Sequence, residues 1–260
     1  MNLNLKGKKA VVCGSSQGIG WATAMELASM GASIVLVARN EDKLSKLISK
    51  LPNDDQEHSY LVADFNKPNS LAEVISEWAA NNEAHILINN TGGPPAGTAL
   101  SAEIEAYRLA FNQHLICNQI LVQNLAPGMK NAGYGRIINV ISTSVKQPLA
   151  NLGVSNTIRG AVANWSKTLA NELGEFGITV NNVLPGATAT GRLDAIIENK
   201  AKNSGKTQDQ VAHDMASQVP AKRVGQPNEV AMAIAFLASP SASYINGVNL
   251  PVDGGRTKSL

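Results

Sequence analysis

Short apolar segments alternate with longer amphipathic segments along the whole 260-residue chain. Apolar runs this short and continuous are typical of strands that are buried on both faces of a sheet. The predicted strands cover residues 10–13, 33–38, 60–63, 85–89, 136–141, 179–184 and 249–252.

The segments between these strands carry apolar residues at helical spacing. The predicted helices cover residues 19–30, 41–50, 70–81, 101–125, 155–175 and 228–238. Repeated strand–helix units predict a parallel sheet with helices on both faces. The pattern therefore indicates an α/β protein with seven parallel strands, formed by one doubly wound domain over residues 1–260.

Residues 188–218 interrupt this alternation. The segment is polar, contains Lys200, Lys202 and Lys206, and has no strand pattern. It follows the carboxyl end of a predicted strand, which is where sheets of this kind bind ligands. An insertion of this length forms either a lid or a peripheral pair of helices, and its position favours a substrate lid.

Composition and charge narrow the classes of function. The chain has 22 basic and 20 acidic residues, and neither sign forms the long run or stripe typical of nucleic-acid binding. The first residues do not form a secretory signal, and no 18-residue apolar run predicts a membrane span. Cys13 and Cys117 are far apart, which favours a reducing cytoplasm over a disulfide framework. The four histidines are widely spaced, so no metal site is predicted.

A glycine-rich turn joins the first predicted strand to the first helix. Residues 13–20 read Cys-Gly-Ser-Ser-Gln-Gly-Ile-Gly. Glycines here permit a tight turn and a close approach of the backbone to a pyrophosphate, and the helix N-terminus presents free N–H groups. The turn predicts a dinucleotide site, with an unliganded βα turn as the alternative.

The spacing Gly-x-x-x-Gly-x-Gly resembles the short-chain dehydrogenase/reductase family, and later segments continue the resemblance in order. These segments are residues 89–92, 135–142, 177–186, 243–247 and 252–255. The resemblance implies a Rossmann-type fold and hydride transfer between a nicotinamide cofactor and a carbonyl or alcohol. The chain looks most similar to the β-ketoacyl carrier-protein reductase branch, and especially to relatives that lack the catalytic tyrosine.

The end of the second predicted strand indicates which cofactor is bound. Ala38 stands where NAD-preferring relatives usually carry Asp, and Arg39 follows it. An arginine here accommodates the 2′-phosphate of NADP, so NADP is favoured over NAD, although Glu41 and Asp42 soften the local field. The resemblance implies cofactor contacts from Gly14, Ser16, Gly18, Ile19, Gly20, Arg39, Asp64, Phe65, Asn90, Gly92, Arg159, Pro185, Gly186 and Thr188.

The catalytic set of the family is only partly present. Ser142 lies in the position of the family's serine, and the resemblance implies that Asn112 is its asparagine. The position of the catalytic tyrosine, thirteen residues after the serine, holds Ser155, and that of the lysine, four residues further, holds Arg159. None of the four tyrosines is followed by a lysine four residues later.

These replacements change the expected chemistry. The hydroxyl of Ser155 is a much weaker acid than a phenol, and Arg159 effectively never gives up its proton. Lys146, four residues after Ser142, is a candidate replacement acid, with a solvent-facing lysine as the alternative. His114 is predicted to be structural and to point away from the site.

Two functions remain open from the sequence. The first is an NADP(H)-dependent reductase with an altered proton donor, which acts on a 3-oxoacyl thioester or a related ketone, small or carrier-bound. The second is a catalytically silent NADP(H)-binding pseudo-enzyme that acts as a sensor or subunit. The resemblance also implies a homotetramer that pairs the helices at 101–125 and 155–175.

Overall fold

The computed structural model describes residues 1–53 and 55–259. Within them, one parallel sheet has the strand order β3-β2-β1-β4-β5-β6-β7. The strands are β1 Lys9–Cys13, β2 Ser33–Ala38, β3 Ser59–Val62, β4 Ile86–Asn89, β5 Gly135–Val140, β6 Ile178–Pro185 and β7 Asn249–Val252. The predicted α/β fold with seven parallel strands is confirmed, because every predicted strand is present within a few residues of its expected bounds.

The helices pack in a layer on each face of the sheet. They are α1 Gly18–Ser29, α2 Glu41–Ile48, α3 Pro68–Ala79, α4 Ile104–Phe111, α5 Cys117–Asn131, α6 Gly153–Leu173, α7 Gly191–Ser204, α8 Gln208–Ser217 and α9 Pro227–Ala238. One core cluster joins α1, α2 and α9 to one face of the sheet. A second cluster joins α3, α5 and α6 to the other face. This double coverage explains why the central strands are apolar at nearly every position.

The strand order places β1 between β2 and β4, with β4 on the side opposite to β2. The chain therefore changes direction across the sheet at β1, and a crevice opens outside the carboxyl ends of β1 and β4. In open α/β sheets this crevice is where ligands bind.

The long helix predicted at 101–125 is interrupted. Helix α4 ends at Phe111, a π-helical turn covers Asn112–Ile116, and α5 continues from Cys117. π-Turns are rare and are frequent at functional sites, because the extra residue shifts the face that each side chain occupies. This interruption governs one of the site residues described below.

Residues 188–218 contain the helices α7 and α8, which pack on each other. Gly205 ends α7 in the left-handed conformation, and Thr207 begins α8 with a capping box formed with Gln210. Of the helices in the described part of the chain, none is long and apolar enough to cross a membrane.

A row of asparagine side chains runs from the central strand β4 to the edge strand β7. Asn89, Asn139, Asn182 and Asn249 face one another in register on β4, β5, β6 and β7. Their amides bond in sequence, at 2.8 Å from Asn89 to Asn139, 3.0 Å from Asn139 to Asn182 and 2.8 Å from Asn182 to Asn249. A one-residue slip of any of these strands would break the row and bury unpaired amides, so the row selects one register.

Candidate active site

The glycine-rich turn has the backbone geometry expected of a pyrophosphate cradle. Gly14 and Gly18 both have a φ of +58°, a conformation that strongly favours glycine. A Cβ atom on Gly20 would lie 2.3 Å from the carbonyl oxygen of Gly14. The first turn of α1 can pack this closely only with glycine at position 20, as the sequence predicts.

Neighbouring strands hold this turn in place. The Asn90 amide, which follows β4, lies 3.3 Å from the Cys13 oxygen and 3.4 Å from the Gly14 oxygen. The buried Ser15 hydroxyl accepts a hydrogen bond of 2.9 Å from the backbone N–H of Val37 on β2. The turn is therefore fixed to both neighbours of β1 before any ligand binds.

The residues predicted to hold the adenosine part follow β2 and β3. Arg39 is exposed directly after the end of β2, and Asp64 and Phe65 follow β3 on the adjacent strand. Phe65 is buried, and its carbonyl oxygen accepts a hydrogen bond from the Cys117 thiol. Because the strands are parallel, these residues lie at the same edge of the sheet as the glycine-rich turn.

The residues after β6 border the other side of the turn. The N–H of Gly186 bonds to the Val252 oxygen at 2.9 Å, which ties Pro185 and Gly186 to β7. Thr188 is buried, and its hydroxyl donates to the Gly186 oxygen at 3.1 Å. Thr190 is the threonine that faces the cradle, since a Cβ atom on Gly18 would lie 3.2 Å from its methyl group.

Thr190 was not among the residues predicted from the sequence. The contact with Gly18 arises from the way the chain returns over the turn after β6, and no local spacing indicates it.

Helix α6 brings Ser155 and Arg159 to the carboxyl end of β5. Both side chains are buried, and Arg159 Nη1 donates to the Val140 oxygen at 3.1 Å. Four-residue spacing places the two side chains on one face of the helix. The carboxamide of Asn156, on the same helix, bonds the backbone of Leu149. These bonds hold the loop after β5 against α6.

Ser142 directly follows β5 on the same side. Its hydroxyl oxygen accepts a hydrogen bond of 3.1 Å from the N–H of Ser144 at the start of a short 3-10 turn. That bond leaves the hydroxyl proton of Ser142 available for a ligand. The 3-10 turn packs against α6, so Ser142, Ser155 and Arg159 belong to one region of the crevice.

The structure corrects the predicted direction of His114. Asn112 is exposed, whereas His114, two residues further in the π-turn, is 1% exposed. Burial, together with the charges of Arg159 and Arg192, lowers the pKa of His114 to about 2, opposed by a hydrogen bond with the backbone of Gly92. His114 therefore faces Arg159, Arg192 and Gly92 rather than pointing away from the site, and the role of Asn112 stays a prediction.

The ring of His114 is neutral at physiological pH, and its Nε2 has no hydrogen-bond partner in the described part of the chain. A buried polar atom of this kind is costly unless a ligand or water completes it. The sequence signal for this placement was weak, because it depends on the π-turn and not on α-helical periodicity.

Lys146 lies directly after the 3-10 turn and is partly buried. The cation whose charge acts on Arg159 is Arg192, which lowers the pKa of Arg159 to about 10 together with burial, the larger cause. The role of Lys146 as a replacement acid stays a prediction.

Arg192, at the start of α7, connects the 188–218 segment to the loop after β4. Its guanidinium donates to the oxygens of Gly93 at 2.8 Å and Pro94 at 3.0 Å. A Cβ atom on Gly93 would lie 2.8 Å from Arg192 Nη2, so glycine at this position permits the contact. The first turn of α7 is therefore held beside the site.

No group of three or more histidine, cysteine or acidic side chains suited to a metal ion occurs among residues 1–53 and 55–259. The donors present in the crevice are hydroxyls, amides, backbone N–H groups and cations. These are groups that bind phosphates, riboses and substrate oxygens.

Comparison with known proteins identifies the family. Residues 14–257 match the family model described as enoyl-(acyl carrier protein) reductase. The chain belongs to the short-chain dehydrogenase/reductase family. The matched region includes the glycine-rich turn, Ser142 and the closing segment, so the family resemblance of the sequence is confirmed.

Several short-chain dehydrogenases/reductases are similar to this chain over nearly its whole length. The NADPH-dependent reductase BacG of Bacillus subtilis is 33% identical over 97% of this chain and 99% of the relative. The 3-oxoacyl-[acyl-carrier-protein] reductase FabG of Pseudomonas aeruginosa is 30% identical over 97% of this chain and 98% of the relative. The structure of L-sorbose reductase from Gluconobacter frateurii, complexed with NADPH and L-sorbose, has a TM-score of 0.93 and 32% identity, and the match covers 100% of both chains.

Proposed function

We propose that this protein is an NADP(H)-dependent reductase that adds hydride to the carbonyl carbon of a ketone, such as a 3-oxoacyl thioester or a related ketone, free or carrier-bound. The observation that supports the proposal is the glycine-rich turn after β1 on the same edge of the sheet as the hydroxyls of Ser142 and Ser155 at the end of β5. The names of the relatives support it, since BacG is an NADPH-dependent reductase and FabG a 3-oxoacyl reductase.

NADP is the proposed cofactor. The exposed Arg39 after β2 provides a cation for the 2′-phosphate, and no acidic side chain stands at Ala38 to hold a free 2′-hydroxyl. Two of the compared proteins carry NADPH in their names or structural descriptions.

The side chains of this protein would act mainly on the substrate oxygen. When bound, NADPH supplies a hydride to the carbonyl carbon. Ser142 and Ser155 are proposed to donate hydrogen bonds to the oxygen while negative charge develops on it, and the nearby charge of Arg159 stabilises that charge further. Proton transfer to the oxygen then gives the alcohol and leaves NADP⁺.

Two side chains are candidates for the proton donor. Lys146 has an ammonium group with N–H donors in the loop that follows Ser142. His114 is neutral and buried, and because its other ring nitrogen bonds the backbone of Gly92, its unpartnered Nε2 can accept a hydrogen bond from a water and hold that water as the donor. Replacement of Lys146 by Ala and of His114 by Gln in separate variants distinguishes them, because only loss of the true donor abolishes turnover while NADPH binding is kept.

The proposal is tested by titrating the pure protein with NADPH and then following NADPH oxidation with a panel of ketones and ketoacyl thioesters. We expect binding and turnover of at least one class. Tight NADPH binding without turnover of any compound would overturn the reductase proposal and favour the sensor or subunit. Absence of NADPH binding would overturn both the reductase and the sensor.

Arg39→Ala should weaken NADPH binding and leave NADH binding nearly unchanged. Lys46→Ala, at an exposed position on α2, is the control.

We also propose that residues 1–260 act as one domain, in which α7 and α8 form the substrate lid, and that four 27.3 kDa chains assemble through α4–α5 and α6. A shallow apolar groove between α5 and α6, lined by Val122, Pro127, Leu169 and Leu173, supports this assembly surface. Sedimentation velocity measures the mass of the assembly.

Both free cysteines are buried, which suits the cytoplasm proposed from the sequence.

A further inference from the structure

Arg159 carries a charge that no acidic side chain in the described part of the chain pairs with. Its side chain is only 7% exposed, Nη1 bonds the Val140 oxygen, and Nε has no partner in the part of the chain that the structure describes. None of the salt bridges found among residues 1–53 and 55–259 involves Arg159. The guanidinium keeps its proton at neutral pH, because even its lowered pKa is about 10.

A second cation lies near Arg159 and adds positive charge to this region. The neighbouring charge that acts on it is that of Arg192, and His114, which both arginine charges affect, is neutral. Taking a cation out of water without a counter-charge is costly, so a buried arginine in this setting is stabilised when an anion binds.

The sequence explains why Arg159 finds no anionic partner among residues 1–53 and 55–259. In the family pattern the tyrosine four residues before the lysine is an acidic hydroxyl that can be ionised beside the cation. Here that residue is Ser155, whose aliphatic hydroxyl does not ionise at physiological pH. The exchange of Tyr for Ser therefore removes the negative partner and leaves the cation in place.

The cofactor does not supply the anion either. The phosphates of a dinucleotide belong at the glycine-rich turn after β1, whereas Arg159 lies at the end of β5, two strands away in the sheet order. The ribose that the family's lysine position holds offers neutral hydroxyls. They can accept hydrogen bonds from Arg159 without neutralising it.

We propose that the substrate of this reductase is a keto acid whose carboxylate binds Arg159 while its carbonyl oxygen binds Ser142 and Ser155. Four-residue spacing puts Ser155 and Arg159 on one helix face, so we place the carboxylate close to the carbonyl along the substrate chain, as in a 2-oxo or 3-oxo acid. A guanidinium matches a carboxylate with paired hydrogen bonds. The carboxylate is unchanged in the reaction, in which hydride reaches the carbonyl carbon and a proton reaches its oxygen. The inference rests on the proposed reductase function.

The kinetic test compares each acid with its neutral ester. NADPH oxidation is measured with a panel of 2-oxo and 3-oxo acids and with the methyl ester of each. We expect kcat/KM to be at least about tenfold higher for the acids, as the loss of a charged contact implies. In Arg159→Gln this preference should disappear through a higher KM for the acids. Arg108→Gln removes an exposed arginine of α4 and should keep the preference.

A binding test needs neither turnover nor a variant. Oxamate, which carries a carboxylate, and oxamide, its neutral analogue, are titrated into the wild-type protein saturated with NADPH, and the shift in Tm is recorded. We expect a shift with oxamate alone. Turnover of ketones and esters with no preference for acids, or equal effects of oxamate and oxamide, would overturn the keto-acid inference and leave the reductase standing. An oxamate shift with no turnover of any substrate would overturn the reductase and retain the anion site.

Discussion

At the scale of single residues, the site depends on glycines, which have no Cβ atom. Gly20 allows α1 to start against the oxygen of Gly14, and Gly93 allows Arg192 to reach the loop after β4. In both cases a Cβ atom would collide with a group that helps to form the site. These two glycines are therefore constrained by neighbouring atoms, since neither has the positive φ that by itself favours glycine.

Gly20→Ala is expected to damage both folding and cofactor binding. The added methyl would lie 2.3 Å from the Gly14 oxygen and 2.8 Å from the Asn90 amide. The glycine-rich turn would have to shift to admit it. Overpacking of this kind costs roughly 1–3 kcal/mol of the free energy of unfolding. Urea unfolding and the Kd for NADPH measure the two effects.

The matched control is Gly160→Ala on α6. This glycine is exposed, and a Cβ atom there would contact nothing within 4 Å. The change should leave NADPH binding unaltered and stabilise the helix by about 0.5–1 kcal/mol. Equal NADPH affinities of the two alanine variants would contradict the role given to Gly20.

At the scale of elements, the asparagine row holds β4 to β7 in one register. Asn139 is its central member and bonds Asn89, Asn182 and the hydroxyl of Ser166. The row lies just below the site, so it also aligns the strand ends that carry Asn90, Ser142 and Pro185.

Asn139→Leu should reduce the free energy of unfolding by at least about 2 kcal/mol. The leucine is of similar size but leaves several buried polar groups unpaired, each of which costs roughly 1–3 kcal/mol. Urea unfolding measures the loss. Asn203→Leu, on the exposed side of α7, is the control and should change stability by less than about 0.5 kcal/mol. A small effect of Asn139→Leu would show that the row is dispensable.

The connection between α7 and the loop after β4 is a second feature of this scale. Arg192→Met should remove its hydrogen bonds to the Gly93 and Pro94 oxygens and let residues 188–218 open more often. Each bond from a charged group contributes roughly 1.5–3 kcal/mol when fully formed. Because this guanidinium is partly solvated, we expect about a tenfold rise in cleavage of the segment by subtilisin.

Global stability separates this local opening from unfolding of the protein. The Tm of Arg192→Met should stay near that of the wild type, since α7 contributes little to either main core cluster. Lys202→Met removes a different cation of α7, one paired with Glu198 on the surface, and should leave cleavage unchanged. Equal cleavage of the two variants would refute the tether.

At the scale of the whole molecule, the buried histidine predicts how stability depends on pH. The pKa of His114 falls from about 6.5 in the unfolded chain to about 2 in the folded protein. The unfolded state therefore binds one more proton between these values, so the free energy of unfolding decreases as the pH falls below 6.5. The slope from this residue is about 1.4 kcal/mol per pH unit at full effect.

Urea unfolding at about pH 7.5, 6.0 and 5.0 checks this expectation, because these values lie on both sides of the pKa of histidine in the unfolded chain. The wild type should lose stability over this range, and His114→Asn should lose clearly less. His85, whose pKa burial also lowers, contributes to the slope of both proteins. The control His213→Asn changes an exposed ring and should follow the wild type. Parallel profiles of the wild type and His114→Asn would contradict the assignment.

Much of this protein is encoded in short stretches of its sequence. Continuous apolar runs predict buried strands because a parallel sheet removes both faces from water, and Gly14, Gly18 and Gly20 predict the cradle because their backbone conformations and contacts exclude side chains. The absence of a Tyr-x-x-x-Lys pair is also a property of the sequence alone. The fold, the cofactor cradle and the altered catalytic pair could therefore be predicted.

The grouping of His114, Arg159 and Arg192 depends on packing between distant segments. A π-turn directs His114 inward, α6 brings Arg159 to the end of β5, and the chain after β6 carries Arg192 to the loop after β4. No periodicity reports such contacts, because each is made by residues many positions apart whose side-chain directions depend on the neighbouring element. The charge of the site, and with it the proposed class of substrate, follows from that folding.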